Sequence, residues 1–202
     1  MDDRIRRWDE RYGRREDLHG FVPSPPLPEA VDGVAPGLAL DLACGGGRHA
    51  IFLAERAWRV QALDGSRAGL ETLRAEARAR GVEQGIEARI ADLEAKGFAL
   101  DGAFDLVCDF YFLHRPLFEQ IRRAVKPGGR FVAAIHVRTS RDEKGRFLLE
   151  PGELRTLVES WGWQILHYRE GAAAESAHRH GTAELITLRP ACPKPEAVTL
   201  RG

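Results

Sequence analysis

Three consecutive glycines directly after a short apolar run constrain the fold of this chain more than any other feature. The stretch LALDLACGGGRHAIFLA, residues 38–54, predicts a strand that enters a turn at Cys44-Gly45-Gly46-Gly47 and continues at once as a helix. Residues without a Cβ let a ligand lie against the backbone, and the start of the helix presents unpaired N–H groups. Open α/β sheets bind nucleotides at such a turn, at the carboxyl end of a central strand.

The rest of the chain alternates apolar runs with helical patterns, which favours parallel strands joined by right-handed crossovers. Two late apolar runs have no helical signal between them and predict an antiparallel pair at the sheet edge. The sequence therefore predicts a doubly wound, seven-stranded, mostly parallel Rossmann-like sheet with an antiparallel edge strand. The predicted strands are 38–42, 58–63, 86–91, 104–109, 131–135, 163–168 and 183–188, with helices at 48–57, after Ser66, after Pro116 and after Pro151, and a turn at 126–129.

The amino-terminal part differs from this regular pattern. Residues 1–20 predict a polar helix with Ile5, Trp8 and Tyr12 at helical spacing. Residues 21–37 carry several prolines, which argue against a regular helix or a central strand.

We expect one domain over residues 1–202, because this length suits a single hydrophobic core. Within it, 1–36 would form the amino-terminal helix and proline-rich segment, and 37–190 the catalytic core. Lys plus Arg and Asp plus Glu both number 30, and this balance argues against a broad basic face for nucleic acid.

The start lacks the apolar core of a signal peptide, and no apolar run is long enough to span a bilayer. Cys44, Cys108 and Cys192 are odd in number and far apart, which favours reduced thiols over disulfides or a zinc site. We therefore expect a cytoplasmic protein with a small-molecule substrate, no metal, and neither nucleic acid nor membrane as partner. The sequence does not indicate an oligomeric state.

Asp41 lies just before the glycine turn and bears on the choice of ligand. Its carboxylate would repel a pyrophosphate and suits a ligand with a positive charge, such as an ammonium or a sulfonium. Gly45-x-Gly47-x-x-Ala50 also satisfies the dinucleotide fingerprint, so a nicotinamide-dependent oxidoreductase stays open as an alternative.

Two further acids follow the next two predicted strands. Asp64 ends the second strand, where a carboxylate can accept hydrogen bonds from both ribose hydroxyls. Asp92 follows the third strand, where it could accept the adenine amino group while Leu93 donates its backbone N–H. The three acids together favour S-adenosylmethionine.

These motifs, in this order, resemble those of the class I S-adenosylmethionine-dependent methyltransferases over roughly residues 36–137. The matching pieces are DLACGGGR, VQALDGS, IADL, FDLVCDF and RRAVKPGGRFVAAI. Ala43 stands where the family usually has its first glycine, which is tolerable if its φ is not left-handed. The resemblance implies S-adenosylmethionine as cofactor and S-adenosylhomocysteine as product, and we assign to the cofactor site Trp8, Tyr12, Asp41, Ala43, Gly45, Gly47, Arg48, Asp64, Gly65, Ser66, Asp92, Leu93 and Asp109.

Within that superfamily, the chain most resembles the tellurite-resistance (TehB-type) methyltransferases. The resemblance lies in GRHAIFLAERAWRVQALDGS and in the tail FLLEPGELRTLVESWGWQILHYRE followed by AHRH. It implies His178 and Arg179 as catalytic residues. The WDERY opening is similar to thiopurine-type methyltransferases, which implies that a segment from Trp8 to Pro28 covers the site as a lid.

The acceptor site is predicted where basic and aromatic residues follow the fourth strand, the fifth strand and the edge pair. Cationic donors there would hold an oxyanionic or acidic acceptor. Soft nucleophiles of tellurite, selenite or thiol type need little general-base help, in agreement with the lack of an obvious acid–base dyad. A non-catalytic S-adenosylmethionine-binding module remains a further alternative. Besides His178 and Arg179, the predicted substrate-binding residues are Tyr111, His114, Arg115, His136 and Arg138.

Overall fold

The seven predicted strands form one sheet in the computed structural model, which describes residues 3–14, 20–139, 145, 147–171 and 180–191. The first five strands pair in parallel, whereas the last strand is antiparallel to both of its neighbours. The strand order is β3-β2-β1-β4-β5-β7-β6. The strands are β1 (Leu38–Leu42), β2 (Arg59–Asp64), β3 (Ile86–Ile90), β4 (Phe104–Phe110), β5 (Val125–Val137), β6 (Gln164–Gly171) and β7 (Gly181–Leu188).

This order confirms the doubly wound fold. The chain winds outward from β1 through β2 to β3, then crosses back to β4 and winds the other way. The reversal leaves a crevice beyond the carboxyl ends of β1 and β4, which is the usual ligand site of open α/β sheets.

Helices cover both faces of the sheet, because side chains alternate along each strand. One apolar cluster packs α2, α3 and α4 against one face, and a second packs α5 and α6 against the other. In the fourth helix Leu70, Leu73 and Ala77 form the buried stripe. The helices are α1 (Asp3–Gly13), α2 (Pro26–Val31), α3 (Arg48–Ala54), α4 (Arg67–Ala79), α5 (Leu117–Ala124) and α6 (Glu153–Ser160).

Three details of the sequence prediction are wrong. The proline-rich segment does contain a helix, α2, because prolines at its start occupy positions where no intrahelical N–H bond is needed. The expected turn at 126–129 is part of β5, which begins directly after α5, with Gly128 at φ 80°. The helix predicted over 48–57 already ends at Ala54.

Cys44 and Cys108 are free and buried, and burial raises the pKa of both thiols. Cys192 lies outside the described residues. Among the residues that the structure covers, no helix is both long and apolar enough to cross a bilayer. The domain limits 1–36 and 37–190 stay predictions.

Candidate active site

A cavity of about 700 Å³ lies in the crevice beyond the carboxyl ends of the parallel strands. The loops after β1, β2, β3 and β4 line it, together with one face of α1. This volume falls in the range of about 300–1,000 Å³ that is usual for small-molecule sites.

The glycine turn after β1 forms the floor of this cavity. Ala43, Gly45 and Gly47 all have left-handed φ values, of 51°, 53° and 87°. The expectation that Ala43 avoids this region is therefore wrong, and its side chain adds strain of about 1–2 kcal/mol relative to glycine. A Cβ at Gly47, the residue before α3, would overlap Leu73 of α4, so this glycine also permits close packing of α3 against α4. Gly46 and Gly47 line the cavity, while Gly45 lies beneath the Tyr12 hydroxyl.

Asp41 is buried below the turn, with 1% of its surface exposed, and is not on the cavity wall. Neither carboxylate oxygen has a hydrogen-bond partner among the described residues. Burial raises the pKa of Asp41 to about 7. The backbone N–H of Ala50 lies nearby and lowers this pKa in part, although its position does not meet the geometry of a hydrogen bond. Asp109, on the adjacent β4, is also buried, and burial and the charge of Asp41 raise its pKa. A cation nearby would stabilise both carboxylates.

Asp64 lies on the cavity wall, with both oxygens held by the backbone. Gly45 N donates to Oδ2 at 2.8 Å and Ser66 N donates to Oδ1 at 2.7 Å. Each oxygen keeps a lone pair that can accept a further hydrogen bond, as ribose recognition requires. Burial raises the pKa of Asp64 despite these two bonds. Gly65 and Ser66 line the cavity beside it.

Asp92 and Leu93, which follow β3, line the same end of the cavity as Asp64. Glu94 and Arg4 also line this end, although the sequence did not predict them as site residues. Glu94 donates its backbone N–H to Asp92 Oδ1 at 3.1 Å. Arg4 of α1 forms an ion pair with Glu94 and lies 3.6 Å from Asp92 Oδ1.

The helix α1 supplies one wall of the cavity, including Trp8 and Tyr12, whose rings stack at 6.1 Å between centroids. Arg4, Ile5, Trp8 and Tyr12 lie on one helical stripe, because Trp8 follows Arg4 by four residues and Ile5 by three, and Tyr12 follows Trp8 by four. That stripe was visible in the sequence and could have identified Arg4.

The opposite end of the cavity is basic and aromatic. Tyr111 has a left-handed φ of 61°, and its N–H donates to the Ala134 carbonyl at 2.7 Å. The Arg48 guanidinium lies 5.6 Å from the Tyr111 ring centre, and the His136 ring lies 5.2 Å from it. His180, also missed from sequence, lies 5.5 Å from His136. Strain at a residue on the wall of a cavity is typical of functional sites.

Arg48 and His49, the first residues of α3, connect this end to the proline-rich segment. The Arg48 guanidinium donates to Ser24 Oγ at 2.9 Å and to the Val22 carbonyl at 3.3 Å. His49 stacks on Phe110 at 3.9 Å and lies 3.2 Å from Ser24 Oγ. The segment before α2 is thus held by side chains of the first turn of α3, which themselves line the cavity.

Of the predicted acceptor residues, Tyr111 and His136 line the cavity, but Arg115 and Arg138 do not. Arg115 instead forms a two-pronged ion pair with Glu153 of α6, and Arg138 pairs with Glu150 at 3.0 Å. His114 does not line the cavity either, and its Nδ1 lies 4.0 Å from Glu94 Oε2. His178 and Arg179 lie outside the described residues.

Comparison with known proteins bears on the choice between the ligands that this geometry allows. Residues 39–129, which include the glycine turn, Asp41, Asp64 and Asp92, match the family model of a methyltransferase domain. This match, over less than half of the chain, supports a class I S-adenosylmethionine-dependent methyltransferase. The match favours methyl transfer over the nicotinamide-dependent alternative. No curated protein matches the sequence.

Solved structures share the fold of this chain at low sequence identity. TehB from Haemophilus influenzae is 16% identical, with a TM-score of 0.71 over 90% of this chain and 67% of that one. A methyltransferase from Mesorhizobium loti is 21% identical, with a TM-score of 0.62 over 82% and 96% of the two chains. The glycopeptide N-methyltransferase MtfA is 20% identical, with a TM-score of 0.59 over 81% and 86%. At these identities the likeness shows a shared fold.

Proposed function

We propose that this protein is a methyltransferase that transfers the methyl group of S-adenosylmethionine to a small acceptor, and that the acceptor is an oxyanion or a soft nucleophile of tellurite, selenite or thiol type. One observation carries the proposal, namely that the two ends of the cavity differ in charge. Asp64, Asp92 and Glu94 line one end, whereas Arg48, His136 and His180 line the other. An anionic acceptor is stabilised at the second end and kept away from the carboxylates of the first.

The methyl donor is S-adenosylmethionine, and the acidic end fits it. Asp41, buried beneath the glycine turn, supplies negative charge that favours the donor's ammonium group without lining the cavity, and Asp64 keeps acceptor capacity for the ribose hydroxyls. The fold relative MtfA has been crystallised with S-adenosylhomocysteine and with sinefungin, which supports an adenosyl ligand for this protein as well.

When bound, the donor supplies an electrophilic methyl group on a sulfonium. The chain's own contribution is to hold the acceptor in line with that group and to exclude water, with α1 covering one side and Tyr111 and His136 lining the other. The acceptor's lone pair forms the new bond to carbon, and the electron pair of the broken bond stays on sulfur. A thiolate or an oxyanion has no proton to lose in this step, so the site needs no dedicated base.

The resemblance to TehB-type methyltransferases supports the same acceptor class. His178 and Arg179 are the proposed catalytic residues, and they directly precede His180, which lines the basic end. Arg179→Ala should raise the Michaelis constant of the acceptor and leave the affinity for S-adenosylmethionine intact. Equal loss of both would contradict this assignment.

The test is a screen for S-adenosylhomocysteine formation with selenite, tellurite, thiols, halides, phenols and amines as acceptors. We expect turnover with selenite, tellurite or a thiol, and mass spectrometry should detect the methylated product. Turnover with nitrogen or carbon acceptors alone would refute the proposed acceptor class.

A further inference from the structure

The helix α1 lines the donor end of the cavity without belonging to the hydrophobic core. None of its residues is buried, and none belongs to either apolar cluster of the sheet. Trp8, although it lines the cavity, is 47% exposed. Because apolar burial does not fix the position of α1, other contacts must do so.

Asp9 supplies two of these contacts, beside the ion pair of Arg4 with Glu94. Its Oδ1 accepts hydrogen bonds from Ser66 Oγ and from Ala68 N, both at 2.8 Å. The bond from Ala68 is the largest influence on the pKa of Asp9, which is lowered overall. The carboxylate therefore stays charged at neutral pH and binds the first turn of α4, where the helix dipole favours an anion.

Ser66 connects this contact directly to the donor site. Its hydroxyl donates to Asp9 and accepts from Gly69 N at 3.0 Å, while its backbone N–H donates to Asp64 Oδ1 at 2.7 Å. The other oxygen of Asp64 accepts from Gly45 N in the glycine turn. A continuous series of hydrogen bonds thus runs from α1 through Ser66 to the carboxylate that faces the donor's ribose.

Glycines provide the surface on which α1 rests. A Cβ at Gly65 would lie 3.0 Å from Ile5, and one at Gly69 would lie 3.2 Å from the Tyr12 ring. A Cβ at Gly45 would overlap the Tyr12 hydroxyl. The absence of side chains at these places lets α1 lie directly against the loops that hold the donor.

We infer that Asp9 is a positioning residue for the methyl donor, which fastens α1 over the donor end through Ser66 and thereby orients Asp64. Docking of α1 and binding of the donor are then coupled, so each strengthens the other by the same factor. The inference rests on the cofactor site alone and is independent of the acceptor class.

The test measures the Kd of S-adenosylhomocysteine by calorimetry for Asp9→Ala and for a matched control, Asp3→Ala. Asp3 lies on the same helix but is exposed, and its carboxylate pairs with Arg6 at 3.0 Å. We expect Asp9→Ala to raise the Kd about tenfold, which is about 1.4 kcal/mol. Asp3→Ala should change it by less than about twofold, since its ion pair is at the surface. Asp9→Asn, which keeps an acceptor oxygen, should fall between Asp9→Ala and the wild type.

Three further readouts separate positioning from a general loss of structure. The acceptor's Michaelis constant should not change in Asp9→Ala. S-adenosylhomocysteine should slow tryptic cleavage after Arg7 and Arg11 in the wild type but not in this variant. Ser66→Ala combined with Asp9→Ala should cost less affinity than the sum of the single changes, because both remove the same hydrogen bond.

Wild-type affinity in Asp9→Ala, or equal weakening in Asp3→Ala, would overturn the inference and leave the proposed function intact. A wild-type protein that binds no S-adenosylhomocysteine would overturn the cofactor assignment together with this inference. Additive effects of the Ser66 and Asp9 substitutions would overturn the route through Ser66.

Discussion

Replacing Asp41 with asparagine should remove a large part of the pH dependence of folding. Burial holds the pKa of Asp41 at about 7 in the folded protein, against an ordinary value of 3.8. Between these values the folded state keeps a proton that the unfolded chain has released, so stability falls as the pH rises. The difference between these two pKa values corresponds to a decrease of about 4 kcal/mol in the free energy of unfolding, because one pKa unit is about 1.4 kcal/mol. This loss is complete above about pH 7.

Urea denaturation of the wild type and Asp41→Asn between pH 4.5 and 8.5 would measure this effect. Asparagine has the same shape but does not titrate, so the stability difference between the two proteins reports the titration of residue 41 together with its effect on the neighbouring Asp109. We expect the variant to gain about 3–4 kcal/mol relative to the wild type from the lowest to the highest pH. It should also bind S-adenosylhomocysteine more weakly, since the donor's ammonium loses its counter-charge. A stability difference that stays constant across this pH range would refute the reasoning.

Three further predictions follow from the site. Ala43→Gly should raise the free energy of unfolding by about 0.5 kcal/mol, because relief of left-handed strain exceeds the entropy that glycine adds to the unfolded chain; a loss of stability in urea denaturation would contradict this. Gly47→Val should lower the free energy of unfolding by more than about 2 kcal/mol, because residue 47 has a positive φ and its new side chain would overlap Leu73. Thermal melting of the variant at the wild-type temperature would argue against the described packing. His136→Ala should raise the acceptor's Michaelis constant at least about fivefold, which corresponds to a loss of about 1 kcal/mol in binding free energy. Arg138→Ala should not raise it, because Arg138 does not line the cavity. Equal effects of the two substitutions in steady-state kinetics would contradict the location of the basic end.

The sequence by itself determined the order and type of most elements and the edge of the sheet at which the cavity lies. Alternating apolar runs, the N-cap at Ser66 and the glycines after β1 are local signals, since each depends on neighbouring residues only. Because parallel strands all end at the same edge of the sheet, these signals also located Asp64 and Asp92 on one rim. The helix α2 in the proline-rich segment was not predicted, because prolines at the start of a helix look the same in sequence as prolines in a loop.

Only the tertiary structure decided which side chains face the cavity. Asp41 and Asp64 both end central strands, yet the first lies buried beneath the turn and the second on the wall. Arg115 and Arg138 follow the expected strands, but carboxylates distant in sequence hold them elsewhere. The direction of a side chain and the partner that holds it depend on contacts between remote segments, which no local pattern encodes. For the same reason Asp9, an ordinary surface acid in the sequence, became the residue that joins α1 to the donor site.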